Sequence, residues 1–243
     1  MLNVLLILTI MLLLFVAVQV AWLRFNGTPI PRPDISREPV TIGSGPALKL
    51  LILGDSTAVS QGSAYEQGYA VAIANHLSTT HTVTYQNLGV SGARAADVAK
   101  LQAPQAASFK PDIAVVAVGA NDITHLTHIE SVRTSLIDTI RQLRAAHADV
   151  RIIVTGAPDM GSPPRIPQPL RWLAGERTIE MNDMVLSLVG SQNLTFAPIA
   201  DETGPAFRRD HTLFAADNFH PNANGYKLWN DVLVKAVDTA LTE

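Results

Sequence analysis

The chain has 243 residues, of which 47% are hydrophobic and only 16% charged, a balance that fits one mid-sized globular domain plus an additional apolar segment. A formal net charge of −3 supplies no clustered basic face for a phosphate backbone and so excludes a nucleic-acid partner on electrostatic grounds. The absence of cysteine rules out a disulfide framework and fits an oxidising compartment without requiring one, because a core of this size needs no staple.

In chain order, the first feature is residues 4–23, which carry no charge and are rich in Leu, Ile and Val. A helix of that length crosses a hydrocarbon layer of about 30 Å. Residues 1–25 are therefore expected to form a single transmembrane helix or uncleaved signal anchor. No basic residue precedes the run, and Phe15 and Gln19 stand two positions before Ala17 and Ala21, so neither alanine completes a small-x-small cleavage site. Arg24, Arg32 and Arg37 follow the span, which by the positive-inside rule would keep the rest of the chain in the cytoplasm. Residues 26–46 contain Pro29, Pro31, Pro33 and Pro39, lack an apolar period, and read as an extended linker to a domain at 47–243.

Within that domain, apolar runs at 49–53, 82–87, 113–118, 151–155 and 194–198 predict five buried strands. Helical patterns are expected at 64–77, 95–107, 129–146, 172–189 and 224–241. In the third helix Ile129, Val132, Leu136, Ile137, Ile140 and Leu143 form one apolar stripe. Alternating strands and helices, with strands apolar throughout, argue for an α/β fold: a three-layer α/β/α domain with a flavodoxin-like, parallel five-stranded sheet.

Four short motifs carry chemistry. Residues 50–56 read Leu-Leu-Ile-Leu-Gly-Asp-Ser, a strand ending in a tight turn that presents the Ser56 hydroxyl. A serine hydroxyl needs a base and usually a group to orient that base. Residues 217–221, Asp-Asn-Phe-His-Pro, offer both as Asp217 and His220. A tetrahedral intermediate also needs donors for its oxyanion. The turn at 87–92, ending in Gly92, and the Gly-Ala-Asn-Asp string at 119–122, which contains Asn121, can supply them. Taken singly, each motif also reads as an ordinary turn, cap or helix entry. Three follow successive strands and the fourth precedes the last helix, which is where open α/β sheets put their ligand crevice. His76, His81, His125, His128, His147 and His211 lack partners at metal-ligand spacing and read as surface or packed residues, with His125 close enough to Asn121 to line a cleft mouth. The Pro-rich stretch 157–170 follows the fourth strand and is either a plain surface loop or a wall of the substrate pocket.

From about Leu48 to the last helix, these blocks resemble the SGNH (GDSL-type) hydrolase family, named for a Ser, a Gly, an Asn and a His in this order. The resemblance implies Ser56 as nucleophile, His220 as base and Asp217 as its orienting partner. It implies an oxyanion hole from the N–H groups of Ser56 and Gly92 and the Asn121 amide, with no cofactor and no metal. Thr57 stands where the family often has Leu, a difference expected to affect packing or substrate fit. Many bacterial members act outside the inner membrane, against the positive-inside reading, so the side of the membrane stays open.

The expected activity is hydrolysis of a carboxylic ester through an acyl-serine, on a small-molecule, lipid or glycan substrate. Alternatives are an acyltransferase or O-deacetylase of envelope glycan or lipid using the same site, and a non-catalytic, membrane-tethered glycan or lipid binder. A metallo-phosphoesterase built on Asp55, Asn121, Asp122, Asp217 and His220 is a further alternative, weakened by the lack of His-rich ligand pairs. The sequence gives no indication of oligomeric state.

Overall fold

Leu50, Leu51, Ile52 and Leu53 are completely buried, and a strand whose side chains are apolar on both faces must be covered on both. In the computed structural model, which describes residues 2–25 and 27–242, Leu51 and Leu53 face one helical layer and Leu50 and Ile52 the other. Met1, Asn26 and Glu243, which belong to the expected anchor, linker and domain, lie outside the described residues.

The elements in order are α1 (Leu2–Phe25), β1 (Val40–Gly43), β2 (Ala47–Gly54), α2 (Tyr69–Leu77), β3 (Thr82–Asn87), α3 (Ala95–Asp97), α4 (Ala106–Phe109), β4 (Ile113–Ala117) and α5 (Ala120–Thr124). They continue with α6 (Ile129–Ala146), β5 (Arg151–Val154), α7 (Leu170–Gln192), β6 (Thr195–Phe196), α8 (Ile199–Arg209) and α9 (Ala223–Thr242). On one face of the sheet, Val132, Leu136, Ile140 and Leu143 of α6 pack with Met181, Val185 and Leu188 of α7. On the other, Tyr69 and Ile73 of α2 pack with Tyr226, Trp229 and Leu233 of α9. Each fully buried large side chain contributes about 1.5–3 kcal/mol over leaving it exposed. The α6 stripe differs at one position: Ile137 is 37% exposed, and Thr139, with its hydroxyl bonded to the Ser135 carbonyl, is buried instead.

The fold is the expected three-layer α/β/α arrangement, with a correction to the sheet. It has six strands in the order β1-β3-β2-β4-β5-β6, and it is mixed: β1 pairs antiparallel with β3, while the other pairings are parallel. The extra strand comes from the stretch expected as linker. Pro39 can precede it because an edge strand tolerates a residue without an N–H. Gly45, at φ +126°, makes the turn from β1 into β2, a conformation that any side chain would strain. Helix α8 was also unexpected, since Gly204 and Pro205 interrupt its apolar period. The expected helix at 95–107 is instead a broken rod: α3, a π turn at Val98–Gln102, a 3-10 turn at Ala103–Gln105, then α4.

That break has a use. It places Gln102, 1% exposed, beside the end of β2, where its Oε1 accepts from the Gly54 N–H and its Nε2 donates to the Gly54 carbonyl, both at 2.8 Å. The side-chain amide thus acts as a strand partner for the residue just before the Asp55-Ser56 turn. Replacing Gln102 by Met keeps the volume but strands the buried Gly54 N–H and takes from its carbonyl one of two donors, leaving the Val90 N–H at 3.1 Å. Gln102→Met should lower stability by about 2–4 kcal/mol, read as a fall in Tm of about 5–10 °C. A shift under about 1 °C would show that Gly54 finds other partners.

Candidate active site

Three turns leave the carboxyl ends of β2, β3 and β4 carrying Ser56, Gly92 and Asn121, and the loop before α9 brings Asp217 and His220 to the same rim. Ser56 is buried, with its Oγ 2.9 Å from His220 Nε2. On the other side of the ring, Nδ1 lies 2.6 Å from Asp217 Oδ2. The local backbone sets this up. Asn218 adopts φ +55°, which asparagine tolerates better than most residues, and curls the chain so that Asp217 Oδ1 accepts the N–H groups of Phe219 and His220, each at 3.0 Å. The base of the loop is closed by Ala215 N–H donating to the His220 carbonyl at 2.8 Å.

Burial works against a charged Asp217, but the His220 ring hydrogen bond, the charge that ring can carry, and the two N–H bonds outweigh it, so the carboxyl is held below its usual range. An ionised carboxylate under Nδ1 fixes the tautomer with Nδ1–H donating and the Nε2 lone pair facing Ser56.

The turns around the hydroxyl are clamped by side chains. Asp55 Oδ1 accepts the N–H and the hydroxyl of Thr57, both at 2.9 Å, and Thr57 Oγ1 lies 3.3 Å from the Tyr69 hydroxyl. Thr57 therefore braces the turn, a polar role that Leu at this position lacks. Asn87 donates to the Ala58 carbonyl at 2.7 Å and accepts the Gly89 N–H at 2.9 Å, tying the Gly92 turn to the Ser56 turn. From α5, Asn121 Nδ2 donates to the Ala93 carbonyl at 3.1 Å while Asp122 Oδ2 accepts the Ala95 N–H at 2.9 Å.

These bonds leave donors to spare. Asn121 keeps its second amide N–H, and the N–H groups of Ser56 and Gly92 have no internal acceptor among the described residues. Gly92 sits at φ +88° with open space where a Cβ would go, so the backbone conformation and not crowding calls for glycine there.

In front of Ser56 and Asn121 lies a small pocket of about 30 Å³, lined by Met160, Phe207, Phe214, Phe219 and Trp229. Pro158, Asp159, Ser162 and Pro163 also line it, so the 157–170 stretch is a pocket wall. Asp159 is fixed by Arg208 of α8 through bonds of 2.6 and 2.8 Å. His125 lines a wider groove beside the site and turns its Nδ1 to the Asn121 carbonyl at 2.8 Å. Among the described residues no group of three or more His, Asp or Glu is arranged to hold a metal ion. Sequence reasoning missed Gln102, Asn87, Asp159 and the bracing by Asp122. The one available signal was an amide or carboxylate inside an otherwise apolar segment.

Residues 52–228 match the GDSL-like lipase/acylhydrolase family, a span that contains Ser56, Gly92, Asn121, Asp217 and His220. The chain belongs to this family. A GDSL-like esterase of Mycobacterium tuberculosis is 36% identical over 199 residues, covering 80% of this chain, and the chain spans 63% of that relative's length. Among solved structures, the GDSL-type fold of this chain is similar to a lipase from a goat rumen metagenome (TM-score 0.65, 16% identity, 78% of this chain and 97% of that one). It is also similar to the psychrotrophic esterase EstA from a Pseudoalteromonas species (TM-score 0.63, 18% identity, 80% and 99%) and to an acetylxylan esterase from Geobacillus stearothermophilus (TM-score 0.58, 19% identity, 81% and 95%).

The Asp55 of the family's Gly-Asp-Ser block carries a cost. Burial pushes its pKa up to about 6, against the pull of the two Thr57 hydrogen bonds and of His220. Because the folded pKa exceeds the unfolded value of 3.8, the fold is penalised for ionising this group: the penalty is absent below about pH 4, grows through pH 4–6, and is full above. Asp55→Asn removes it. The stability difference between variant and wild type should move in favour of the variant by up to roughly 3 kcal/mol between pH 4 and pH 7.5, measured by thermal melts across that range. A difference that stays flat with pH would mean that Asp55 is not buried as charge.

Proposed function

We propose that the chain is a carboxylic ester hydrolase that works through an acyl-serine intermediate. The observation that carries this reading is the continuous hydrogen-bonded line from the Ser56 hydroxyl through His220 to the Asp217 carboxylate. Family membership and the M. tuberculosis relative described as a GDSL-like esterase support the same reaction class.

In the first half-reaction His220 Nε2 takes the Ser56 proton as Oγ attacks the ester carbonyl carbon. The negative charge that builds on the carbonyl oxygen is met by the Ser56 and Gly92 N–H groups and the free Asn121 amide N–H. The intermediate collapses with cleavage of the carbon–oxygen bond, and His220 gives its proton to the departing alkoxide. Water then attacks the acyl-serine with His220 again as base, releasing the acid and restoring the hydroxyl. Asp217 does not exchange protons in this scheme. It holds the ring and stabilises its cationic form.

The roles are separable. Ser56→Ala should abolish hydrolysis of p-nitrophenyl acetate and labelling by a fluorophosphonate. Asn121→Ala should slow kcat by a factor of about 100–1,000, and Asp217→Asn by about 10,000 through the wrong tautomer. Full activity in Asn121→Ala would remove that residue from the reading, and a wild-type protein that resists the fluorophosphonate would favour a non-catalytic binder.

We also propose that residues 1–25 anchor the chain in a membrane, that 26–46 connect, and that 47–243 form the hydrolase domain, with Val40–Gly43 of the connector added to its sheet. The support is α1, whose residues Asn3–Leu23 have a mean hydropathy of 2.9, with none of that apolar window fully buried by the domain. Cleaved signal sequences share these features. The chain should stay in the membrane pellet after alkaline extraction with its N-terminus intact. Recovery of a soluble form lacking the first two dozen residues or so would make α1 a signal sequence.

A further inference from the structure

The site opens in two directions that share Phe219 and His220. One is the small pocket in front of Ser56. The other is a groove of about 570 Å³, a size within the roughly 300–1,000 Å³ common for sites that enclose an organic ligand. Its walls are largely aliphatic, with Leu126 just after α5, Ile166 from the Pro-rich loop and Leu173 from α7. The side facing away from the domain is closed by Val20 and Leu23 of α1. That closure is fastened by polar contacts: Gln19 Nε2 donates to the Gln168 carbonyl, and Arg165 Nη2 donates to the Leu23 carbonyl at 3.3 Å.

The rim of the groove is apolar as well as its interior. Leu126 is 63% exposed and Leu173 40%, and both line the groove, so apolar surface is open to the outside at its mouth, as at a contact surface. Val20 and Leu23 lie in the last turns of α1, so a bilayer crossed by α1 has its headgroup boundary at the level of this rim. The groove thus runs from the boundary of the hydrocarbon to the imidazole.

Resting on the esterase reading above, we propose that the groove holds the long aliphatic chain of an amphiphilic ester taken from a membrane surface, and that α1 forms the groove's outer wall. The chain can belong to the acid or to the alcohol of the ester. Both present the same methylenes to the same walls, and the small pocket takes the smaller remaining part.

The test uses the full chain in nanodiscs of ether-linked phospholipid, which offer no carboxylic ester of their own. Two substrate series are compared: p-nitrophenyl esters from acetate to dodecanoate, and acetates from methyl to dodecyl alcohol. One series should show kcat/KM rising by about fourfold per methylene over its first members, which identifies the part of the ester that occupies the groove. In Leu173→Ser and in Leu23→Ser, the ratio of long-chain to short-chain kcat/KM in that series should fall about tenfold. Each variant's own short-chain rate serves as the check that it folds. Flat or falling rates in both series overturn the proposal, as does a ratio unmoved in both variants. A ratio lowered by Leu173→Ser but not by Leu23→Ser overturns the part assigned to α1. Loss of acetate hydrolysis in Ser56→Ala tests the esterase reading separately, because it makes no reference to chain length.

Discussion

A parallel strand buried on both faces must end somewhere, and at its end the backbone loses its sheet partners while still being cut off from water. The whole site depends on how that problem is solved at Gly54. The Gln102 amide supplies both missing hydrogen bonds, and the Val90 N–H reaches the same carbonyl at 3.1 Å, so the last residue of β2 before the Asp55-Ser56 turn is held from two directions. The device recurs around the rim. Asn182 gives Ala157 the same two-bond clamp after β5, at 2.9 and 3.0 Å, and Asn87 and Asp122 pin the loop that carries Gly92. A loop fixed by buried side chains is a rigid platform, and rigidity is what turns a hydroxyl, an imidazole and a few N–H groups into a site.

The electrostatics of the rim sort its three buried carboxylates by their partners. Asp217 faces an imidazole and two N–H groups and is held below its usual range. Asp55 faces only a hydroxyl and one N–H at short range and is raised to about 6. Asp122 is raised by burial despite the Ala95 N–H. The two raised groups do structural work next to the Ser56–His220–Asp217 line at a cost in stability, which is the usual exchange between holding a site and holding a fold.

How much of this was legible depended on where the information sits. Strands β2 and β4 could be read because burial on both faces forces an unbroken apolar run. β1 could not, since Val-Thr-Ile-Gly after Pro39 is four mostly exposed residues, too short a stretch to establish a period. α8 was hidden by Gly204-Pro205. The candidate site residues stood out because Ser, Asn, Asp and His appear in an order that turns alone do not produce, and of these the structure joins Ser56, His220 and Asp217 in one hydrogen-bonded line. The clamps were not, because Gln102 and Gly54 are 48 residues apart and nothing in the sequence around either names the other. Propensity and periodicity are local, whereas the satisfaction of a buried amide is not.

Stitching residues 40–43 into the sheet also shortens the leash between α1 and the domain. Only 14 residues separate Phe25 from Val40, and drawn out straight they reach no further than about 50 Å. With α1 held in a bilayer, as proposed above, a leash of that length confines the domain to the layer of water next to the lipid, where amphiphilic esters are most concentrated.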